Sequence, residues 1–396
     1  LFSSSQNLTN NMFRVAFFAY FIQQLSALPE PAQYVLSFPT NDNPLNITVV
    51  KPIEKNYIIT IGDWGANHDS EEDKQIQKKV AEIMNTFYES QKAKGMNLLF
   101  IAAVGDNFYW TGQNCQEWDS YWRDIYGGNL TAPDVPWLSV YGNHDWADKD
   151  KDAMCGWNNT KYVDPDTKIP YAADQLNADK GGCNPSNYYL PDFSYYYTIN
   201  ELNFEIIALE ETYHYCPNEV GGGHGNDDVW KNCEENGQGV SNGKKVGCNY
   251  LGKINNASEA MLLQRAKMNN GNTNVLISQH YPGEAKRLVD TYKANINENA
   301  DNYTVWSIFG HTHNQKCERT YTKNNETICD AIMTGGGGGC CNFEFTTRGF
   351  YVIGFDSDGE MIQPYAFDDP AISCTYPCDV EIDYTMKDEL ILNTCC

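Results

Sequence analysis

The sequence predicts an α/β fold in which short buried strands alternate with helices and carry polar residues at their carboxyl ends. Apolar runs of four to seven residues, the length of a buried strand, recur along the chain, and a long segment between two of them has helical periodicity. Several runs stop directly at acidic, amide or histidine side chains. Open α/β sheets place their functional groups outside the carboxyl ends of strands, so these side chains are expected to share one crevice.

The composition is typical of one large folded domain. The chain has 396 residues, of which 41% are hydrophobic and 13% aromatic, whereas disordered chains are poor in aromatic residues. This length is enough to bury a sizeable core.

The strand candidates are short apolar segments that end at turn-forming or polar residues. Four of the five central candidates end directly before a glycine. They cover residues 57–61, 98–104, 137–141, 275–278 and 305–309.

One helix and two hairpins complete the predicted elements. Residues 72–94 carry apolar side chains such as Ile76 and Val80 on one helical face, and Gly95 is a plausible stop. The hairpins are predicted over residues 193–209 and 349–365, each around a short polar turn.

Charge argues against two classes of partner. Acidic residues outnumber basic residues by 52 to 28, which gives a formal net charge of -24. Binding to nucleic acid needs a basic footprint, and anionic membranes repel such a surface. No apolar run reaches the length of a bilayer-spanning helix. We therefore expect neither a nucleic-acid partner nor a membrane span.

Cysteine content and the first residues predict export. The 14 cysteines favour disulfides in an oxidising compartment; zinc is the alternative, although no CxxC pairs with a second one at zinc-finger spacing. Met12, Arg14 and the apolar run 15–22 are typical of a signal peptide, with a buried element of the mature protein as the alternative. Seven Asn-x-Ser/Thr sites fit a glycoprotein. The expected location is outside the cell or in a lysosome- or vacuole-like compartment.

The chain is predicted to form a single main domain with flanking segments. Residues 1–27 hold an upstream tail and the signal peptide, 28–44 a linker, 45–370 the main domain and 371–396 a Cys-rich tail. Two polar, Cys-containing stretches interrupt the main domain at about 146–191 and 216–250. We predict that both are surface loops held by disulfides, and that they are candidate surfaces for a protein partner.

Seven side chains near the strand ends form a candidate metal-binding set. They are Asp63, Asp106, Tyr109, Asn143, His280, His311 and His313. Carboxylate, phenolate, amide and imidazole donors suit iron, manganese or zinc. A carboxylate such as Asp106 can bridge two ions, and two ions about 3.5–4 Å apart are the usual clamp on a phosphate ester. Any one of the motifs is more often a turn, so the prediction depends on all of them occurring together.

The motifs resemble the five-block signature of purple acid phosphatases, a group of the calcineurin-like metallophosphoesterases, and most closely the small, tartrate-resistant type. The blocks are Asp-Trp-Gly at 63–65, Gly-Asp-Asn-Phe-Tyr at 105–109, Gly-Asn-His-Asp at 142–145, Ser-Gln-His at 278–280 and Gly-His-Thr-His at 310–313. Tyr109 discriminates best, because related metallophosphoesterases generally lack a tyrosine ligand. The resemblance implies a four-layer αββα sandwich of two packed sheets flanked by helices.

The resemblance also implies a role for each residue of the set. It places Asp63, Tyr109 and His313 on Fe(III), Asn143, His280 and His311 on a divalent Fe, Zn or Mn, and Asp106 between the two ions. His144 resembles the residue that contacts substrate and protonates the leaving group, and Asn143 is also expected to contact substrate. The implied activity is hydrolysis of small phosphomonoesters at acid pH, with a metal-held hydroxide as the attacking group.

The sequence departs from the family pattern after His280. The small enzymes usually carry a second substrate-contacting histidine a few residues later, and residues 281–289 contain none. Arg287 or Lys286 is the expected substitute, with a solvated helix start as the alternative. The three other histidines, at 68, 214 and 224, are expected to lie on the surface. The glycine run 335–339 either lets the backbone approach the metals or forms a flexible loop.

Two other functions stay open at this point. The missing histidine and the two insertions are compatible with a secreted scaffold or binding protein that retains a weakly active metal site. A dizinc phosphodiesterase or nucleotide pyrophosphatase is the second alternative, and Tyr109 argues against it. The sequence indicates neither the physiological substrate nor the divalent metal.

Overall fold

A computed structural model describes most of the predicted main domain. The described residues are 45, 47–66, 70–109, 115, 117–146, 175–177, 182–212, 240–241, 244–268, 271–297, 299–323, 326–338, 347–362 and 364–369. All of them belong to the unit Leu36–Cys396. The signal peptide, the linker, the Cys-rich tail and the histidines at 68, 214 and 224 lie outside the described residues, and the predicted segment boundaries stay predictions.

The described chain contains β-strands and α-helices, and the α-helices separate only some of the strands. The described strands are β1 (Asn56–Ile61), β2 (Asn97–Ala103), β3 (Trp137–Ser139), β4 (Tyr188–Tyr189), β5 (Tyr195–Ile199), β6 (Phe204–Ala208), β7 (Val240–Ser241), β8 (Lys244–Lys245), β9 (Asn274–Ser278), β10 (Thr304–Phe309), β11 (Gln315–Lys323), β12 (Glu326–Thr334), β13 (Arg348–Gly354) and β14 (Tyr365–Asp369). The described α-helices are α1 (Glu71–Ala93), α2 (Asp124–Leu130), α3 (Val246–Met268) and α4 (Pro282–Asn295).

Two six-stranded mixed sheets contain most of these strands. The first sheet has the order β14-β13-β1-β2-β3-β4 and the second has the order β11-β12-β10-β9-β6-β5. Neighbours among β1 to β4 are parallel, as are β6, β9, β10 and β12 in the second sheet. The central strands β1, β9 and β10 are buried along their whole length, which explains their largely apolar sequence.

The sheets pack against each other and helices cover their outer faces. The rings of Phe100 on β2 and Phe204 on β6 meet between the sheets, with centroids 5.9 Å apart. Phe87 of α1 packs edge-on against Tyr57 of β1 at 5.7 Å. Helices α3 and α4 share one core cluster with β6, β9 and β10. The fold is therefore the four-layer αββα sandwich that the sequence predicts, in a single domain.

Helix α1 illustrates how local sequence determines an element. Its N-cap Ser70 accepts a hydrogen bond from the backbone N–H of Asp73 at 3.2 Å. Gly95, with φ of 74°, follows its C-terminal end, where a residue without a Cβ is favoured. The predicted helix 72–94 is thus confirmed to within one residue at each end. The predicted hairpin 193–209 is also confirmed, as β5–β6. Strands β13 and β14 are antiparallel neighbours as predicted, but β14 begins at Tyr365, where the predicted hairpin 349–365 ends.

The two predicted surface loops differ from the structure where it describes them. Tyr188 and Tyr189, inside the first stretch, form β4 at the edge of the first sheet and are buried. Helix α3 begins at Val246, before the end of the second stretch. The loop prediction is wrong at these positions because pairing with the sheet and helix packing override the polar composition nearby.

Two disulfides join described cysteines. Cys115 pairs with Cys183 across 68 residues of sequence, and Cys317 pairs with Cys329 within the β11–β12 hairpin. The prediction of disulfides is confirmed for these four cysteines. None of the described helices is long and apolar enough to cross a membrane.

Candidate metal centre

The candidate ligands follow the carboxyl ends of central strands in both sheets. Asp63 follows β1, and its backbone N–H donates to the carbonyl of Gly105, which follows β2, at 2.9 Å. In the second sheet the N–H of Gly310, after β10, donates to the carbonyl of His280, after β9, at 3.0 Å. Short bonds of this kind keep the chain segments in register just beyond the strands. The ligand-bearing loops are therefore fixed by the sheets that they leave.

Four of the candidate ligands have left-handed backbone conformations. The φ values are 51° at Asp63, 50° at Asp106, 74° at His311 and 50° at His313. Such a conformation costs non-glycine residues roughly 1–2 kcal/mol each, and Asp, Asn and His adopt it more often than most. Strained residues of this kind cluster at functional sites because the local turn aims their side chains.

Glycines beside the ligands make room for them. A Cβ atom on Gly142 would clash with Oδ1 of Asp106, and one on Gly310 would clash with Oδ2 of Asp63. Gly335 also borders Asp63, where a Cβ would lie 2.6 Å from Oδ2. Within the described part of the glycine run, Gly335 therefore lets the backbone approach the ligand cluster closely, whereas Gly336, Gly337 and Gly338 border other residues.

Asp63, Tyr109 and His313 form the first group of donors. The Tyr109 hydroxyl lies 3.4 Å from Asp63 Oδ1 and 3.2 Å from His313 Nε2. Asp63 Oδ1 and His313 Nε2 are 3.4 Å apart. All three side chains are buried.

Asn143, His280 and His311 form the second group. Oδ1 of Asn143 lies 3.2 Å from His280 Nε2 and 3.1 Å from His311 Nδ1. On the other side of the His280 ring, Nδ1 lies 2.9 Å from the carbonyl of Val104. If Nδ1 carries the proton and donates it to that carbonyl, the lone pair of Nε2 points into the site.

Asp106 lies between the two groups. Its Oδ2 is 3.1 Å from the Tyr109 hydroxyl of the first group and 3.3 Å from His280 Nε2 of the second. Ligand atoms of Asp106, His280 and His311 come within 4.8 Å of one another, as do those of Asp63, Asp106 and His313. Both sets can hold a metal ion, and Asp106 belongs to each. The structure thus brings together all seven predicted ligands, and their assignment to particular ions stays a prediction.

The protonation states in this buried cluster suit metal binding. Burial lowers the pKa of His311 to about 3 and that of His313 to about 4, so both imidazoles are neutral and have a lone pair to offer. Burial raises the pKa of Asp63 well above its usual value, and the neighbouring Asp106 adds to the effect after a partial offset by His280. Two carboxylates in so little solvent need positive charge nearby.

Asp106 and His280 show where that positive charge goes in the absence of an ion. Burial alone would raise the pKa of Asp106, but the imidazoles of His280 and His144 lower it below its usual range. Burial would lower the pKa of His280, yet Asp106 raises it to about 10. The proton on His280 stands in for a cation. A bound metal ion would replace that proton, which is the behaviour expected of a ligand.

His144 lies beside the ligand cluster, at its less buried side. Its backbone N–H donates to Asp106 Oδ1 at 3.0 Å, and its ring centroid is 4.5 Å from that of Tyr109. The side chain is 13% exposed, so the ring borders both the ligands and solvent. This is the position that a residue contacting substrate requires.

Arg287 is engaged by carboxylates. Its guanidinium forms ion pairs with Glu284, with Glu259 at 2.8 Å and with Glu211 at 3.4 Å. Lys286 is exposed on α4. The predicted contact between Arg287 and substrate stays a prediction, and it would compete with three acidic partners.

A supporting network behind the site was not foreseen from the sequence. The buried carboxylate of Asp145 accepts hydrogen bonds from the backbone of Asn107 at 3.0 Å and Gly142 at 2.7 Å. Gln175, from the first predicted loop, donates to Asp145 at 2.8 Å and accepts from the Asn107 side chain at 3.1 Å. Asp145 therefore joins the second and third motifs. Nothing in the local sequence around Asp145 or Gln175 indicates that these two side chains meet in the folded protein.

The set of residues fits a pair of metal ions. Carboxylate, phenol, amide and neutral imidazole donors converge with their ligand atoms facing one another, and Asp106 is shared by two groups. Oxygen and imidazole donors suit Fe, Mn or Zn. No other group of three or more His, Cys, Asp or Glu side chains within the described ranges meets the same criterion.

Comparison with known proteins agrees with this geometry at the level of the family. Residues 57–315 match the model of the calcineurin-like phosphoesterase family. No curated protein matches the chain in sequence.

Two solved structures are similar to the chain at low identity. GAP50, the anchor in the inner membrane complex of Plasmodium, is 16% identical, with a TM-score of 0.40 over 79% of this chain and 88% of that one. A putative 5'-nucleotidase from Staphylococcus aureus in complex with alpha-ketoglutarate is 13% identical, with a TM-score of 0.39 over 80% of this chain and 55% of that one. At such identities and TM-scores neither likeness bears on activity. The match to the family model does bear on activity, because it covers well over half of the chain and includes every candidate ligand. The chain therefore belongs to the calcineurin-like phosphoesterases, enzymes whose chemistry uses a dinuclear metal site.

Proposed function

We propose that the protein is a purple acid phosphatase, which hydrolyses small phosphomonoesters at acid pH with Fe(III) and a divalent Fe, Zn or Mn. The observation that supports this most is the position of Tyr109. Its hydroxyl lies 3.1–3.4 Å from Asp63, Asp106 and His313, within the donor cluster.

The electrostatics of Tyr109 favour a highly charged ion in the first group. Burial raises the pKa of this phenol well above its usual value, and the carboxylates of Asp106 and Asp63 raise it further. Only a strong local positive charge can make it a phenolate here. A trivalent ion provides more of that charge than zinc does, which favours iron over a dizinc site.

The chain's own residues would divide the work around the bound ions. The two ions, when bound, would supply Lewis acidity toward the phosphoryl group and an activated water. Asp106 would hold both ions at a fixed separation. His144, at the rim, would donate a proton to the leaving alkoxide, and acid pH keeps an imidazole in its donor form. The Asn143 amide would orient the phosphoryl group.

Acid pH and export are part of the same proposal. The net charge of -24 at neutral pH falls in magnitude as surface carboxylates take up protons. Disulfides such as Cys115–Cys183 persist in an oxidising compartment. We propose a secreted or a lysosome- or vacuole-like location.

Metal analysis and a visible spectrum of the purified protein test the proposal. We expect two ions per chain, at least one of them iron, and an absorption band from Tyr109 bound to iron. Tyr109→Phe should abolish the band, while Tyr126→Phe, which changes another buried tyrosine outside the donor cluster, should keep it. Phosphatase activity should be higher at pH 5 than at pH 8.

Other results would favour the two alternative functions. Zinc in both positions with a preference for phosphodiesters would indicate a phosphodiesterase or pyrophosphatase. A full metal complement with negligible turnover of many esters would indicate a scaffold or binding protein. A metal-free, colourless and inactive native protein would contradict the proposal outright.

A further inference from the structure

Arg348 is the first residue of β13 and lies near the ligand-bearing end of β1. Strand β13 is antiparallel to β1, and Tyr351 pairs with Thr60. The first residues of β13 therefore run along the end of β1 that leads to Asp63. The neighbouring backbone is tied to the same place, because the N–H of Gly349 donates to the carbonyl of Gly336 at 2.8 Å.

The side chain of Arg348 is buried. The residue is 3% exposed, and Nη1 and Nη2 have no hydrogen-bond partner among the described residues. Arg265, the other buried arginine among the described residues, forms an ion pair with Glu205. Buried charges are normally paired, because an unpaired one is strongly unfavourable. Because the Nη atoms have no hydrogen-bond partner among the described residues, an external anion is a candidate partner for this guanidinium.

Electrostatic interactions link Arg348 to the first group of donors. Burial lowers the pKa of Arg348, and interactions with Tyr109, Asp63 and Asp73 act in the opposite direction. Burial lowers the pKa of His313, Asp106 opposes this effect, and Arg348 adds to the lowering. These interactions agree with the strand pairing, which runs from Tyr351 and Thr60 toward Arg348 and Asp63.

Apart from the proposed metal ions, the described side chains after His280 offer a phosphate dianion little positive charge. The segment after His280 has no second histidine, Lys286 is exposed, and Arg287 is held by Glu284, Glu259 and Glu211. A guanidinium presents two parallel N–H groups that match the oxygens of a phosphoryl group. The guanidinium of Arg348 has the chemistry for this role, and the pairing of β13 with β1 brings the residue to the strand end that leads to Asp63.

We propose that Arg348 is an anion-binding residue of the site and that its Nη atoms bind oxygens of the phosphoryl group, in the ester or in the phosphate product, next to the group formed by Asp63, Tyr109 and His313. The identity of the anion rests on the proposed function. The unpaired guanidinium is independent of it.

The experiment measures binding of inorganic phosphate to the metal-loaded protein by calorimetry, with metal content determined on the same samples. We compare the wild type with Arg348→Met, Arg348→Lys and the control Arg123→Met, which removes an exposed arginine paired only with Asp119 among the described residues. Arg348→Met should weaken the phosphate Kd by about tenfold to a hundredfold, as expected for loss of charge-assisted hydrogen bonds. Arg348→Lys should give an intermediate Kd, and Arg123→Met should match the wild type. Metal content should be unchanged in all four proteins.

Thermal unfolding supplies a readout that a structural arginine would not give. Without phosphate, Arg348→Met should have a Tm equal to or above that of the wild type, because the variant lacks an uncompensated buried charge. Phosphate should raise the Tm of the wild type more than that of Arg348→Met, since a ligand stabilises the state that binds it.

The outcomes separate this proposal from the proposed function. If the wild type binds phosphate through Arg348 but turns over no ester, the phosphatase assignment fails and the assignment of Arg348 stands. If Arg348→Met binds phosphate like the wild type, loses its metals or has a lower Tm, Arg348 has another role and this proposal is overturned, whatever the activity. Absence of phosphate binding by the metal-loaded wild type overturns it as well. Should Arg348→Met fail to fold, Arg348→Lys decides: a weakened Kd supports the proposal and an unchanged Kd overturns it.

Discussion

The two sheets contribute different chemistry to the metal centre. The first sheet and the segments that follow its strands supply the oxygen donors, namely Asp63, Asp106, Tyr109 and Asn143. The second sheet supplies the nitrogen donors, namely His280, His311 and His313. The crevice between the strand ends therefore has oxygen donors, two of them carboxylates, on one side and imidazole nitrogens on the other.

The difference concerns the cost of burying each kind of donor. A neutral imidazole is buried at modest cost, and burial lowers the pKa of His311 to about 3 and of His313 to about 4. Buried carboxylates need a compensating cation. Substitution of Asp106, the acid of the first sheet that both groups share, should therefore change the charge of the centre and affect both ions. Substitutions on the second sheet should change one coordination shell at a time.

The largest effect is expected from Asp106→Asn. Asp106 contacts both groups of donors, so loss of its charge removes a shared ligand from each ion. We expect loss of both ions and a fall in phosphatase activity of about a thousandfold or more. Metal content by mass spectrometry and the steady-state rate measure these effects. The exposed Asp119→Asn is the control, and retention of two ions by Asp106→Asn would contradict a bridging role.

Single substitutions of the second-sheet histidines should separate the two ions. His311 lies with Asn143 in the second group, and His313 lies with Tyr109 in the first. We expect His311→Ala to lose the divalent ion and keep the visible band, and His313→Ala to shift or lose the band. Spectra and metal counts on both proteins test this prediction. Identical losses in both variants would show that the ions are not independently held.

A smaller effect is expected from His144→Ala, which removes no ligand. The ring lies over Tyr109 at the rim of the centre, so the ions should stay bound while the leaving group loses its proton donor. General acids contribute roughly 10²–10⁴-fold, and the loss should be greatest for alkyl phosphates, whose leaving groups need a proton most. Rates on an alkyl and an aryl phosphate measure the contrast. Equal losses on both substrates would assign His144 to binding alone.

The sequence was sufficient for the parts of the site that strand ends determine. Each of the ligand motifs follows a buried strand, and the polarity change at that point is local, so Asp63, Asn143 and His280 could be identified without a structure. The spacing from Asp106 to Tyr109 is equally local. The αββα layers needed the resemblance as well, because alternation of strands and helices does not distinguish one sheet from two.

The parts that sequence reasoning missed depend on contacts between distant segments. Gln175 reaches Asp145 across 30 residues, and β4 joins the first sheet from within a stretch that is polar around it. Arg348 reads as an ordinary charged residue at the start of a strand, and only its burial without a partner marks it. Local patterns carry no information on which polar side chains the tertiary fold will bury.

The smallest effect concerns an acidic group that follows a strand of the second sheet. Glu210, after β6, is 1% exposed, and burial raises its pKa from 4.5 to about 8. The folded protein thus binds this proton more tightly than the unfolded chain, so the contribution to stability is complete below pH of about 4.5 and is lost as the pH rises toward about 8.

Glu210→Gln keeps the neutral form at every pH. We expect its free energy of unfolding to follow that of the wild type near pH 4.5 and to exceed it by a few kcal/mol, roughly, at pH 9. Urea unfolding at pH 4.5, 7 and 9 tests this, with the exposed Glu201→Gln as the control. If the free energy of unfolding of Glu210→Gln and of the wild type changed in parallel with pH, Glu210 would be a charged carboxylate in the folded protein even at acid pH. The two sheets would then differ only in the donor atoms that they supply to the metal centre.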